Sequence, residues 1–486
     1  MMGERTLRLA DLRRDLRRAH NDAGAGPDES GPLPDAGSSH SPKWLLQYYL
    51  YALRKRVFCW IYSASQFRND SYKTKAIIFD PELQTCEGHH LEHAQLLTAE
   101  LSKTLTVSTY ANFWARTRII VPLRARPVCY ASLYPQSTHE NFDLVYRGAT
   151  QAIVQDLSEV RSCELTPSSI FIMHTITAFQ LEGLANWYTA LASANRPKLF
   201  LQFQSPLEFG ADEQDWPQLL GRARAAASTL TAAGTVRFAT NSEFLADKIR
   251  VQLDQPMAMM PMSKSWPTVV RLPKPMPGPV FGFFGGLRQE KGWRLLAEAI
   301  PIFVARHQDV RFIIQASAVG SDPVAIPAIR ALAHLPRVEI IERSFDSKDD
   351  YFTALSRARC ILLAYDPAKY ASRTSGILIE ALGLGRLVIT TDHTWLAAEL
   401  RKHKTEGFVM PNFAVPDLLD CLEAARDRLI HTTGEPSIDR DLIAANNPES
   451  YCASLLRLMI ETPRTREPAA AQVGSESSPT NREFAS

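Results

Sequence analysis

The sequence predicts an α/β protein made of two doubly wound parallel-sheet domains that face each other across a central cleft. Three observations predict it. Short apolar runs such as KAIIFD, PKLFLQF and VRFIIQAS alternate with longer helical stretches. Unbroken apolar strands between helices belong to parallel sheets covered on both faces. The length of 486 residues exceeds what one core organises, so two domains are expected. Finally, the alternation breaks at one proline-rich, aperiodic stretch, DQPMAMMPMSKSWPTVVRLPKPMPGP, and then resumes.

The expected divisions are terminal helices and a linker at 1–70, a first domain at 71–255, an interdomain linker at 256–279, a second domain at 280–448, a helix at 449–461 and a disordered tail at 462–486. Residues 5–19 carry leucines interleaved with arginines, and 43–63 are dense in aromatics around Arg54, Lys55 and Arg56. Packing on the body and peripheral membrane contact are both open readings for residues 5–63. Residues 22–42 are rich in Gly, Ser, Pro and Asp, as flexible linkers are.

In the first domain, strands are expected at 75–80, near 104–107 and 118–121, and at 168–174, 197–203 and 236–240. Helices are expected at 91–103, 143–160, 181–192 and 216–233, with one more capped by Ser242. The second domain opens on VFGFFGG, with a helix from about Lys291, and alternates through RCILLA and RLVITT to a helix at 415–429.

Composition excludes several function classes. A net charge of +2 gives no case for nucleic-acid binding. Seven cysteines are scattered singly without a CxxC pair, which argues against a zinc ribbon and fits reduced thiols in a cytoplasmic setting. No signal-peptide core and no uncharged apolar run of about 18 residues are present.

The candidate site centres on YDPAKYASRTSGILIEALGLGRLV, residues 365–388. A strand, a polar small-residue loop and a helix N-terminus make an anion site, because free N–H groups and the helix dipole point at the loop. Phosphates are expected at Ser375 and Gly376. Glu380, a carboxylate one turn inside an otherwise apolar helix, is placed to accept two ribose hydroxyls. GGLRQEKG supplies Gly285 and Gly286 for close backbone approach. Arg288 and Lys291 would neutralise a departing diphosphate. The segment is not a Walker A sequence, since the Lys-Ser/Thr ending is missing. His174, at the end of FIMH, would orient the donor or move a proton, or be a structural histidine. Gly88, His89 and His90 would contact donor or acceptor after the first strand. No metal motif occurs, so neither a metal nor another cofactor is expected.

These motifs resemble GT-B fold glycosyltransferases, whose two domains are Rossmann-like, and in particular the large retaining family 4-like group of bacterial polysaccharide and lipopolysaccharide enzymes. GGLRQEKG matches the family's glycine turn through Lys291 and Gly292. Glu380–Ala381 matches the second glutamate of its paired-glutamate motif, while Ser372 stands at the first. The resemblance implies transfer of a sugar from a nucleoside-diphosphate-sugar donor to a saccharide or lipid-linked acceptor hydroxyl, with retention and no essential metal. A GT-B epimerase, or a glycosyltransferase-like binding or scaffold protein lacking the first glutamate, remains as the alternative.

Overall fold

The computed structural model describes residues 74–460, apart from 85–88, 268–273, 318–320, 346, 404–405 and 433–436. The terminal helices at 5–63, Gly88 and the tail at 462–486 therefore lie outside the described residues. The two sheets belong to one compact unit that starts at residue 70.

Among the described residues, the first sheet holds β1 (Lys75–Asp80), β2 (Thr106–Asn112), β3 (Arg126–Cys129), β4 (Ile170–Ile176), β5 (Lys198–Phe203), β6 (Val236–Thr240) and β7 (Met257–Met259). The second holds β8 (Val280–Phe283), β9 (Arg311–Gln315), β10 (Val338–Ile341), β11 (Cys360–Leu363), β12 (Leu387–Thr391) and β13 (Gly407–Met410). Their orders are β3-β2-β1-β4-β5-β6-β7 and β10-β9-β8-β11-β12-β13. All pairings are parallel, for example Ile77 with Ser108 and Ile361 with Val388. This is the doubly wound fold expected. The order in which strands are added reverses between β1 and β4, and again between β8 and β11. Crevices at such switch points are where ligands bind.

The helices are α1 (His89–Leu101), α2 (Thr117–Leu123), α3 (Phe142–Ser158), α4 (Ala178–Ala190), α5 (Trp216–Ala233) and α6 (Glu243–Leu253), then α7 (Trp293–Arg306), α8 (Ala325–Arg330), α9 (Lys348–Arg357), α10 (Pro367–Tyr370), α11 (Gly376–Gly383), α12 (Trp395–Lys402), α13 (Val415–His431), α14 (Arg440–Ala445) and α15 (Pro448–Ile460). Ser242 caps α6 as expected, accepting from the Leu245 N–H.

Three expectations are corrected. The strand expected near 118–121 is helix α2, whose Ile119, Ile120 and Leu123 bury against Leu83 and Ala94. A short apolar run does not declare its period. The helix expected from about Lys291 starts at Trp293, after a 3₁₀ turn over Gln289–Lys291. Gly292 makes that turn with φ 78°, and a Cβ there would meet the Ala364 carbonyl at 2.1 Å. The stretch expected as a linker begins inside the first sheet, where Met257 pairs with Phe238. It then docks on the second domain: the Trp266 indole donates to the Asn446 carbonyl at 2.9 Å and stacks near Phe352.

The last helix, α15, returns to the first sheet. Tyr451, Cys452, Leu455 and Met459 bury against β1, β4 and β5. Lys198 donates to the Met459 carbonyl at 3.0 Å, and the Tyr451 hydroxyl bonds Gln202.

Candidate active site

At the switch point of the second sheet, β8 leads into Gly285, which has φ 95°. Its N–H is taken by the Gln315 side-chain oxygen at 2.8 Å, so Gly285 offers close approach rather than a free donor. Arg288 donates to the Tyr370 hydroxyl at 3.1 Å and pairs with Glu290 at 3.2 Å. The Arg373 guanidinium lies over the Tyr370 ring at 5.0 Å. Lys291 lies 5.6 Å from the Tyr365 ring centroid and has no side-chain hydrogen bond or ion pair among the described residues. Burial, then the neighbouring Arg288 charge, lower its pKa to about 7. Ser375 is the N-cap of α11, but its side chain caps nothing. The first N–H groups of α11 thus lack a side-chain acceptor, and two cations stand close by.

Glu380, also on α11, is buried and fully engaged. Its Oε2 accepts from the Tyr351 hydroxyl at 2.6 Å. Its Oε1 lies 3.4 Å from Lys264 and 3.5 Å from Lys348. Burial alone would raise its pKa, but the two lysines outweigh that and hold it below the ordinary glutamate value. Lys348 also pairs with Glu92 of α1 at 3.0 Å, and the Ser265 N–H reaches Glu92 at 3.4 Å. The network therefore crosses from one sheet to the other. Thr374 and Asn241 add a second crossing at 3.4 Å.

At the switch point of the first sheet, Asp80 ends β1 and is 1% exposed. His90 Nδ1 lies 2.9 and 3.0 Å from its two oxygens, and His174 Nε2 lies 3.0 Å from Oδ2. His90 Nε2 bonds the Tyr134 hydroxyl at 2.9 Å. Burial works to raise the Asp80 pKa, but His90 and His174 hold it well below the carboxylate range. Burial works to lower that of His90, but Asp80 raises it. His89 and His93 pack around this pair. Burial and the neighbouring imidazoles keep both neutral, with pKa values well below 6.5. Among the described residues, Asp80, His90 and His174 are the group whose ligand atoms, within 4.8 Å of one another, could hold a metal ion. An Asp80 carboxylate paired with imidazolium already has its charge met without one.

The structure thus gathers Gly285, Gly286, Arg288, Lys291, Ser375, Gly376 and Glu380 at one switch point. It gathers His89, His90 and His174 at the other. His89 and His90 open helix α1 rather than lying in the preceding loop. His174 sits two residues inside β4 with a wholly buried side chain. Sequence reasoning missed Asp80, Glu92, Lys264, Lys348 and Tyr351. Asp80 carried a signal, a carboxylate closing an apolar strand. Lys264 carried none.

Solved structures of known proteins share this fold. The solved sucrose-phosphate synthase of Thermosynechococcus elongatus is similar with a TM-score of 0.54 at 13% identity, over 79% of this chain and 98% of that one. The UDP-forming α,α-trehalose-phosphate synthase of Burkholderia xenovorans gives 0.51 at 9%, over 79% and 98%. Anabaena HepE in complex with UDP gives 0.50 at 13%, over 79% and 100%. At such identities the likeness is one of fold. The chain is a GT-B fold protein, as the resemblance implied. Residues 278–427 match the family model described as Glycosyl transferases group 1, a span that contains Arg288, Lys291, Ser375 and Glu380. The stretch that matches this glycosyltransferase family model is the second sheet with its helices. By sequence, no curated protein matches the chain. No helix among the described residues is long and apolar enough to cross a membrane.

Proposed function

We propose that the chain transfers a sugar from a nucleoside-diphosphate-sugar to an acceptor hydroxyl, with retention of configuration. One observation carries the reading. Arg288 and the unpaired Lys291 converge on the uncapped start of α11, at the switch point of a glycosyltransferase domain. Fixed cations and oriented N–H groups stabilise a departing diphosphate without reorganising during the reaction. They would take the role a divalent cation has in other transferases. His174 and His90 would line the acceptor side, with Asp80 fixing the imidazoles. Facing sheets would exclude water and limit donor hydrolysis. A saccharide or lipid-linked acceptor of polysaccharide or glycolipid synthesis is the class the family resemblance suggests.

A second reading is a nucleotide-binding protein without turnover. Ser372 in place of a glutamate and the full engagement of Glu380 favour it. Incubation with UDP-, GDP- and ADP-sugars, with Glu380→Ala as control, separates the two. Nucleotide release that Glu380→Ala abolishes supports transfer. Binding without release supports the second reading, and release unaffected by Glu380→Ala refutes the site. UDP-sugars come first in that panel, because HepE was solved with UDP.

A further inference from the structure

The ammonium of Lys264 occupies an unexpected place. It comes from the crossover segment between the sheets, and its side chain is 16% exposed. Its Nζ lies so close over the first residue of α11 that a Cβ on Gly376 would come within 2.1 Å of it. A cation at the positive end of a helix is repelled by the helix dipole. What holds it there is Glu380, one turn further in, at 3.4 Å. Yet the same Glu380 oxygen also serves Lys348 at 3.5 Å. Around the start of α11, five cations, Lys264, Arg288, Lys291, Lys348 and Arg373, face three carboxylates, Glu92, Glu290 and Glu380. The excess is positive, runs from the buried Lys264 to the half-exposed Arg288 and Lys348, and is centred where the donor diphosphate was placed above. A diphosphate ester has the complementary charge.

We propose that Lys264 is a further phosphate-binding residue for the nucleotide donor, one that exchanges Glu380 for a donor phosphate. The inference rests on the donor reading given above. When the donor enters, the ribose hydroxyls take the Glu380 oxygen that Lys264 leaves. The Lys264 ammonium then turns to a phosphate oxygen at the start of α11, where the dipole no longer opposes it. A Cβ at Gly376 would take the space that the Lys264 ammonium occupies, and the lysine chain would have to shift to admit it. The segment carrying Lys264 is tied to the first sheet through the Ser265 N–H and Glu92. A phosphate that draws on Lys264 therefore also draws on the element that joins the two sheets.

The test is calorimetric titration of the full chain with UDP, GDP and ADP, and with the matching nucleoside, which has no phosphate. Lys264→Met, Lys264→Arg and Lys291→Ala are compared with the unaltered protein, each with a thermal melt. A charge-assisted phosphate contact is worth about tenfold or more in affinity. Lys264→Met is expected to weaken the diphosphate by that factor without weakening the nucleoside, and Lys264→Arg to restore most of the loss. Equal weakening of diphosphate and nucleoside, or unchanged diphosphate affinity with a lowered melting temperature, would make Lys264 a structural ion-pair partner and overturn the proposal. If Lys264→Met does not fold, Lys264→Arg and Gly376→Ala carry the test. Gly376→Ala must then weaken the diphosphate selectively, and an unchanged affinity would overturn the proposal. If Lys291→Ala weakens binding and Lys264→Met does not, only this inference fails. If neither does, or no diphosphate binds, the donor reading fails with it.

Discussion

The two switch points share a topology but differ in the groups that surround their buried carboxylates. At the first, one carboxylate, Asp80, sits among imidazoles. At the second, one carboxylate, Glu380, sits among lysines and a tyrosine. Burial is nearly complete at both. The His90 imidazole, its pKa raised from 6.5 by Asp80 against burial, can still shed its charge with rising pH, whereas the Lys264 ammonium, raised above 10.5 by Glu380 and Glu92 against burial, keeps it. The first site is therefore suited to moving protons beside an acceptor hydroxyl, and the second to holding a permanently charged ligand.

Removing the carboxylate from each site breaks the symmetry most strongly. Asp80→Asn and Glu380→Gln should each lower stability by about 3–5 kcal/mol near pH 6, since each leaves buried cations without their partner. The deficits should part as pH rises. The folded-state pKa of His90 is raised above 6.5, so its pairing contributes fully below 6.5 and is lost as pH passes through the folded value. The Asp80→Asn deficit should therefore shrink above neutrality. The Glu380→Gln deficit should shrink only at higher pH, because it fades as the stranded Lys264 loses its proton and a lysine ordinarily holds its proton further up the scale than a histidine; in the unaltered chain burial is outweighed by Glu380 and Glu92, and the Lys264 pKa is raised above 10.5. Urea denaturation of both variants from pH 6 to 9 checks this. Parallel curves would erase the contrast.

The next effect concerns Lys291, whose pKa is lowered to about 7 by burial and by Arg288. Between about 7 and 10.5 the unfolded chain binds the proton that the folded chain refuses, so this residue's stability cost is relieved as pH rises. Binding a diphosphate requires the protonated form. Nucleoside-diphosphate affinity should therefore fall above pH 7, by up to about tenfold per unit while one proton is coupled. Lys291→Arg should flatten the slope, and calorimetry across pH 6.5–8.5 reads both. A smaller effect lies outside both sites. Tyr451→Phe removes the hydroxyl bonded to Gln202 and should cost about 1 kcal/mol in chemical denaturation, with donor affinity unchanged.

The contrast also marks what the sequence could disclose. Arg288, Lys291, Ser375 and Glu380 were legible because each belongs to a local strand-turn-helix pattern, and the parallel topology then brings two such patterns to one switch point. His174 was legible as a histidine closing an apolar strand and His90 as one following the first strand, but their common partner Asp80 was passed over as the close of an apolar strand. Lys264, Lys348 and Tyr351 were not legible. They reach Glu380 from an aperiodic proline-rich segment and from the first turn of α9, and nothing local encodes that meeting. The same limit explains β7 and α2: three residues and two turns are too short for their period to decide the outcome.

The central claim is that a nucleoside diphosphate binds at the start of α11 against Lys291. Calorimetric titration at pH 6.5 of the unaltered chain and of Lys291→Ala, with whichever of UDP, GDP or ADP the unaltered chain binds, tests it most directly. Loss of one preorganised cation should weaken the diphosphate by roughly tenfold or more. The fold should stay intact, because Lys291 has no ion-pair partner to abandon among the described residues. Equal diphosphate affinity in the two proteins would contradict the account.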